Sequence, residues 1–66
     1  MTQIDTIEFV DLDARDEALI IVRASTNQVA LCISKKQDGD IEVSFGVEEC
    51  KRLMEALQQA IGVAIP

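Results

Sequence analysis

Hydrophobic and polar positions follow two different periods along this chain. From Val47 to Ile61 the apolar residues fall at Val47, Cys50, Leu53, Met54, Leu57 and Ile61. That is the three-and-four spacing of one helix face, with Glu48, Glu49, Lys51, Arg52, Glu55, Gln58 and Gln59 opposite. Gly46 suits an N-cap, and Glu48 and Glu49 set negative charge against the positive end of the helix dipole. Phe45 and Cys50 have the spacing of a hydrophobic staple. Glu48/Arg52 and Lys51/Glu55 are charge pairs four apart. Gly62 fits the left-handed residue that follows a last turn. The pattern predicts a helix over 47–61 with one apolar stripe, which needs a surface to lie on.

Before Val47 the period is two. Residues 4–12 read as a strand, with Ile7 and Phe9 on one face and Val10 and Leu12 on the other. Residues 13–16 are polar and turn-like. Residues 17–25, EALIIVRAS, are apolar on both faces, as in a central strand. Thr26-Asn27 marks a tight turn before 28–36, where Val29, Leu31 and Ile33 alternate with Ala30, Cys32 and Ser34. Ile41, Val43 and Phe45 share a face of a last short strand.

Opposed residues in a hairpin share a face, so loop length can be tested against pattern. A three-residue loop at Gln37 to Gly39, with Gly39 left-handed, opposes Val43 with Ile33 and Phe45 with Leu31. A two-residue loop at Thr26-Asn27 opposes Val22 with Leu31 and Ile20 with Ile33. A four-residue loop at 13–16 opposes Phe9 with Ile20 and Ile7 with Val22. One face then collects Ile7, Phe9, Ile20, Val22, Val29, Leu31, Ile33, Ile41, Val43 and Phe45. The expected fold is α+β: a four-stranded antiparallel meander, order 1-2-3-4, with one C-terminal helix on one face. The whole chain, 1–66, is a single ββββα domain. The helix is expected to cover the face just named. Val10, Leu12, Leu19, Ile21, Ala30 and Cys32 would then remain open on the reverse, and an apolar patch of that kind marks an interface.

Composition narrows the function classes. The chain has 66 residues, with 12 acidic and 6 basic side chains for a net charge of −6. That balance opposes direct binding to nucleic acid or an anionic membrane and favours a basic partner. The longest apolar run, Ala18 to Val22, is too short to span a bilayer, and the first residues lack a signal peptide's pattern. A cytoplasmic protein with two reduced cysteines, Cys32 and Cys50, is expected. With no histidine, no CxxC and no glycine-rich phosphate loop, neither an enzyme nor a cofactor or metal site is expected. Asp11 to Asp16 begins like a calcium loop, but Arg15 stands where a ligand is needed.

The acidic residues cluster. Asp5, Glu8, Asp11, Asp13, Asp16 and Glu17 have only Arg15 among them, and Asp38, Asp40, Glu42, Glu48 and Glu49 have no basic residue between them. Asp40 and Glu42 lie two residues apart on one strand, about 6.8 Å, near two phosphate steps of about 3.4 Å each. The residues expected to meet a partner are Asp11, Asp13, Asp16, Glu17, Asp38, Asp40 and Glu42, with Leu19 and Ile21 as apolar anchors.

Two resemblances extend this reading. Four strands followed by one helix resembles the single-stranded-DNA-binding domain of the PC4 transcriptional coactivator family. That likeness implies a dimer with basic and aromatic residues on the sheet. A very small, acidic, non-enzymatic α+β domain is similar to phage-encoded inhibitors of host defence, the anti-CRISPR proteins among them. That likeness implies binding to a nucleic-acid-binding protein complex, in some cases by DNA mimicry, in the host cytoplasm. The leading expectation is an inhibitory protein-binding module, monomer or homodimer. A homodimeric adaptor and a PC4-like DNA binder are the alternatives.

Overall fold

The computed structural model describes residues 1–66. It contains β1 (Thr2–Asp11), β2 (Asp16–Ser25), β3 (Gln28–Lys35), β4 (Gly39–Phe45) and α1 (Val47–Ala64). The strands form one antiparallel sheet in the order β1-β2-β3-β4, and the helix follows. The meander arises because each loop is short and antiparallel strands need no crossover.

The first and third turns depart from expectation in position and not in kind. The first loop holds residues 12–15, one residue earlier than expected, because Asp11 closes it. Its carboxylate accepts the backbone N–H groups of Asp13 at 3.0 Å and Ala14 at 3.3 Å. Arg15 takes a left-handed φ of 56° there. Consequently Phe9 opposes Ala18 and Ile7 opposes Ile20. The third loop likewise holds residues 36–38, so Ile33 opposes Ile41 and Leu31 opposes Val43. Gly39, at φ 82°, follows it. Both registers differ from the expected ones by two residues, and a shift of two keeps every side chain on its face. The middle hairpin is as expected: Val22 opposes Leu31 and Ile20 opposes Ile33, with Asn27 at φ 60°. Near its start β1 carries a bulge between Gln3 and Asp5.

The register produces an isoleucine face. Ile7, Ile20, Ile33 and Ile41 form one lateral row across all four strands. Asp5, Val22, Leu31 and Val43 form the next row, and Ala24, Val29 and Phe45 lie beyond it. β-branched residues dominate these rows, as suits a pleated surface.

The helix begins as the pattern predicts. Gly46 is the N-cap, and its N–H donates to Glu49 Oε1 at 3.0 Å. Half of a capping box is thus formed, since glycine has no side chain to return the bond. Two expectations fail further along. Gly62 does not end the helix, which runs on to Ala64. The stop comes from Pro66, whose ring disfavours α geometry in the residue before it. Ile65 is accordingly extended, at φ −81° and ψ 123°. The charge pair formed is Lys51–Glu48 at 3.6 Å, and neither of the expected pairs four apart closes.

The larger departure concerns coverage. The helix meets the sheet at β3 and buries none of its own residues. Ile7, Phe9, Ile33, Ile41 and Val43 stay exposed, so the face expected to be covered is open. The most buried positions of β3, Ala30 and Cys32, lie on the reverse of the sheet. Leu12, expected on that reverse, stands in the first loop exposed to solvent. Only Ala18, Ala30 and Cys32 are buried in the whole chain. The Cα radius of gyration is 13.2 Å, against about 11 Å for a compact domain of this length.

Candidate protein-binding face

The reverse of the sheet carries the acidic groups. Glu8, Leu19, Ser34 and Asp40 form a row across the four strands, and Thr6, Ile21, Cys32 and Glu42 form the next. Val10 and Glu17 oppose each other at the end nearest the first loop. Four carboxylates therefore share this carboxylate face with Leu19, Ile21 and Val10. Strict alternation places them so: each precedes or follows an apolar residue that points to the isoleucine face.

Most of these carboxylates already have partners within the chain. Arg23 Nη1 lies 3.5 Å from Glu42 Oε2. Lys36 Nζ lies 3.5 Å from Glu17 Oε2, and the Lys36 N–H donates to the Glu17 carbonyl at 3.1 Å. The Ser34 hydroxyl donates to Asp40 Oδ1. Glu8 has no basic side chain within ion-pairing distance.

A shallow groove of about 520 Å3 runs along this end of the face. Glu8, Glu17, Ser34 and Lys36 supply its polar groups, and Val10 and Leu19 are among its apolar ones. Such a groove offers an apolar wall for the stem of a long cationic side chain and a carboxylate for its tip.

The sequence-predicted residues are thus split between three places. Glu17 and Leu19 line the groove; Ile21, in the next row of β2, and Asp40 and Glu42, on β4, share its face. Asp11 and Asp38 instead meet around Lys35, which lies 3.0 Å from Asp11 Oδ2 and 3.2 Å from Asp38 Oδ2. Lys35 holds the Asp11 carboxyl below the usual carboxylate range, aided by the Ala14 and Asp13 N–H groups. In return the two carboxylates push the Lys35 ammonium up. Asp11 and Asp38 therefore fasten loops together. Asp16 accepts the neighbouring Glu17 N–H at 2.9 Å, and Asp13 stands exposed in the first loop. Glu8, Phe9, Val10, Ala18, Ser34 and Lys36 complete the groove and are not among the residues the sequence marks for a partner. The alternation of Glu8 and Val10 through β1 was the available signal.

No three cysteine, aspartate or glutamate groups converge to hold a metal ion. No helix is long and apolar enough to cross a membrane. Comparison with protein-family models, with curated proteins and with solved structures found no match to this chain.

Proposed function

We propose that this chain is a non-enzymatic protein-binding module that takes a basic segment of a partner on its carboxylate face. The carrying observation is Glu8, a carboxylate without a cation, beside Glu17 in a groove walled by Val10 and Leu19. An incoming lysine or arginine would pair with Glu8 directly, and the net charge of −6 would speed its approach. In its most specific form the partner is a nucleic-acid-binding complex in the cytoplasm. The module then acts as an inhibitor that occupies the complex's basic channel, in the manner of phage-encoded anti-CRISPR proteins. Asp40 and Glu42, on the edge strand, extend the acidic surface in that reading.

A single-stranded-DNA-binding role is disfavoured by the same geometry. Arg23, Lys35 and Lys36, the basic residues of the sheet and its last loop, are each engaged by a carboxylate. A phosphate would have to displace those carboxylates against the field of the whole face.

The test is an amide-resolved NMR titration at low salt with a lysine- and arginine-rich peptide, and separately with a single-stranded oligonucleotide. The peptide should shift Glu8, Glu17, Leu19 and Ser34, and Glu8→Gln should weaken it several-fold. Binding should weaken further as salt rises. Oligonucleotide binding without peptide binding would overturn the proposal.

A further inference from the structure

We propose that the isoleucine face is covered by a second copy of this chain, sheet against sheet, and that the folded unit is a homodimer. The proposal concerns the opposite side of the sheet from the basic-partner site and stands independently of it.

The first ground is surface area. The single chain exposes 5412 Å2. A compact monomer of 7.3 kDa exposes about 4,200 Å2 by the scaling of surface with mass. The excess is about 1,200 Å2 per chain, within the roughly 1,000–2,500 Å2 that each partner buries in an obligate homodimer.

The second ground is that the chain has no core of its own. Its three buried residues are two alanines and a cysteine, and no large side chain is fully buried. Meanwhile Ile7 is 47% exposed, Ile33 42%, Ile41 64% and Val43 53%, all in adjoining rows of one face. Two such faces packed about 10 Å apart would interdigitate their rows as the core of an eight-stranded sandwich. Obligate homodimer interfaces resemble a domain core cut in half, and this face has that character.

The third ground selects the occupant. The cover is needed for folding itself, so it must be present whenever the chain is made. Another copy meets that requirement; a partner that comes and goes does not. The central row, Ile7-Ile20-Ile33-Ile41, carries no charge, and Asp5 in the next row stands exposed on the edge strand β1, so two copies can meet over the centre of the face without burying an unpaired ion. Repulsion between two chains of net charge −6 opposes the contact, and added salt screens it. Dimerisation should therefore strengthen with salt, whereas binding of a basic partner weakens.

Sedimentation equilibrium of the full chain from micromolar to near-millimolar concentration, at low and high salt, tests this. The expected result is twice the mass of 7.3 kDa, with a tighter dimer at high salt. Ile41→Lys and Val43→Lys should weaken the dimer tenfold or more, and Val10→Lys on the opposite face should leave it unchanged. Should the first two variants unfold, the urea midpoint of the unaltered chain decides, because a dimer's midpoint rises with protein concentration. A folded single chain at all concentrations, or a midpoint indifferent to concentration, overturns the proposal. So does dissociation by Val10→Lys but not by Ile41→Lys.

Discussion

Lys35 Nζ lies 3.0 Å from Asp11 Oδ2, an ion pair that reaches from the third strand to the first across β2. Ala18 makes the crossing possible. It opposes Lys35 on one side and Phe9 on the other, and its small side chain leaves room above it. The same ammonium reaches Asp38 at 3.2 Å, so one lysine ties the first loop to the third.

Acid and alkali should each release that tie. Asp11 has a folded-state pKa lowered by Lys35 and by two backbone N–H groups. Its contribution is therefore present above the unfolded carboxylate value and is lost as pH falls below about 4. Lys35 has a raised pKa, set by Asp11 and Asp38. Its contribution is complete below about pH 10 and is lost as pH rises further. Thermal melts of the unaltered chain and of Asp11→Asn across this range should show it. The variant melts lower at neutral pH and loses less on acidification; parallel acid limbs would mean the pair contributes nothing.

Two residues with positive φ give a sharper contrast. Arg15 sits at φ 56° and Asn27 at φ 60°. A left-handed conformation costs an ordinary L-residue about 1–2 kcal/mol, and asparagine tolerates it better. Glycine removes the cost but gives back about 0.4–1 kcal/mol through the unfolded chain. Arg15→Gly should therefore stabilise by about 0.5–1 kcal/mol, while Asn27→Gly stays within about 0.5 kcal/mol of neutral. Urea unfolding of both variants at one protein concentration measures the difference. Equal effects would mean that the backbone at Arg15 is not strained.

These turns also show what the sequence could and could not disclose. Face membership was legible because alternation has a period of two, and moving each of the two loops by one residue shifts its register by two. Ile7 and Ile20 were placed on the right face opposite the wrong neighbours. Loop position was not legible, because it depends on the Asp11 carboxylate accepting two N–H groups, a local bond that hydrophobic pattern does not carry. The helix end is not legible because two stop signals compete. Gly62 tolerates helix at modest cost, whereas Pro66 disfavours α geometry at Ile65. Coverage was the deepest gap. Periodicity marks a face as apolar but does not say which surface lies against it: the helix meets the sheet at β3, with Cys50 and Leu53 half-buried, and leaves the isoleucine face open. At the candidate site, charge clustering and alternation mark Glu17 and Leu19, both of which line the groove. The sequence does not single out Glu8, because its lack of a cation depends on which strands neighbour it.

Ala30 is the tightest position in the chain, with no exposed surface at all. It lies on the carboxylate face between Arg23 and Ser44. The Arg23–Glu42 ion pair runs diagonally beside it, since Glu42 opposes Cys32, the next residue on that face. A larger side chain has to displace that pair or shift the backbone, and overpacking typically costs about 1–3 kcal/mol. Ala30→Leu should destabilise by that amount, and Ala30→Ser by less. Urea titration of both checks the order. Destabilisation by Ser equal to that by Leu would point to a polarity effect instead of volume.

Gly62 offers the opposite case, a position where added volume should help. It lies inside α1, three residues short of the extended Ile65, and a Cβ built there meets nothing within 4 Å. Its φ is not in the left-handed region, so alanine can adopt the same backbone. In a helix interior glycine is about 0.8–1 kcal/mol less favourable than alanine. Fraying of the last turn reduces the gain that can be realised, since part of the helix population is already open there. Gly62→Ala should therefore stabilise by about 0.3–0.8 kcal/mol and increase amide protection from Leu57 onward. Hydrogen exchange read residue by residue measures both effects. A loss of stability would mean that Gly62 is needed for close approach of another surface, which places that part of the helix in an interface.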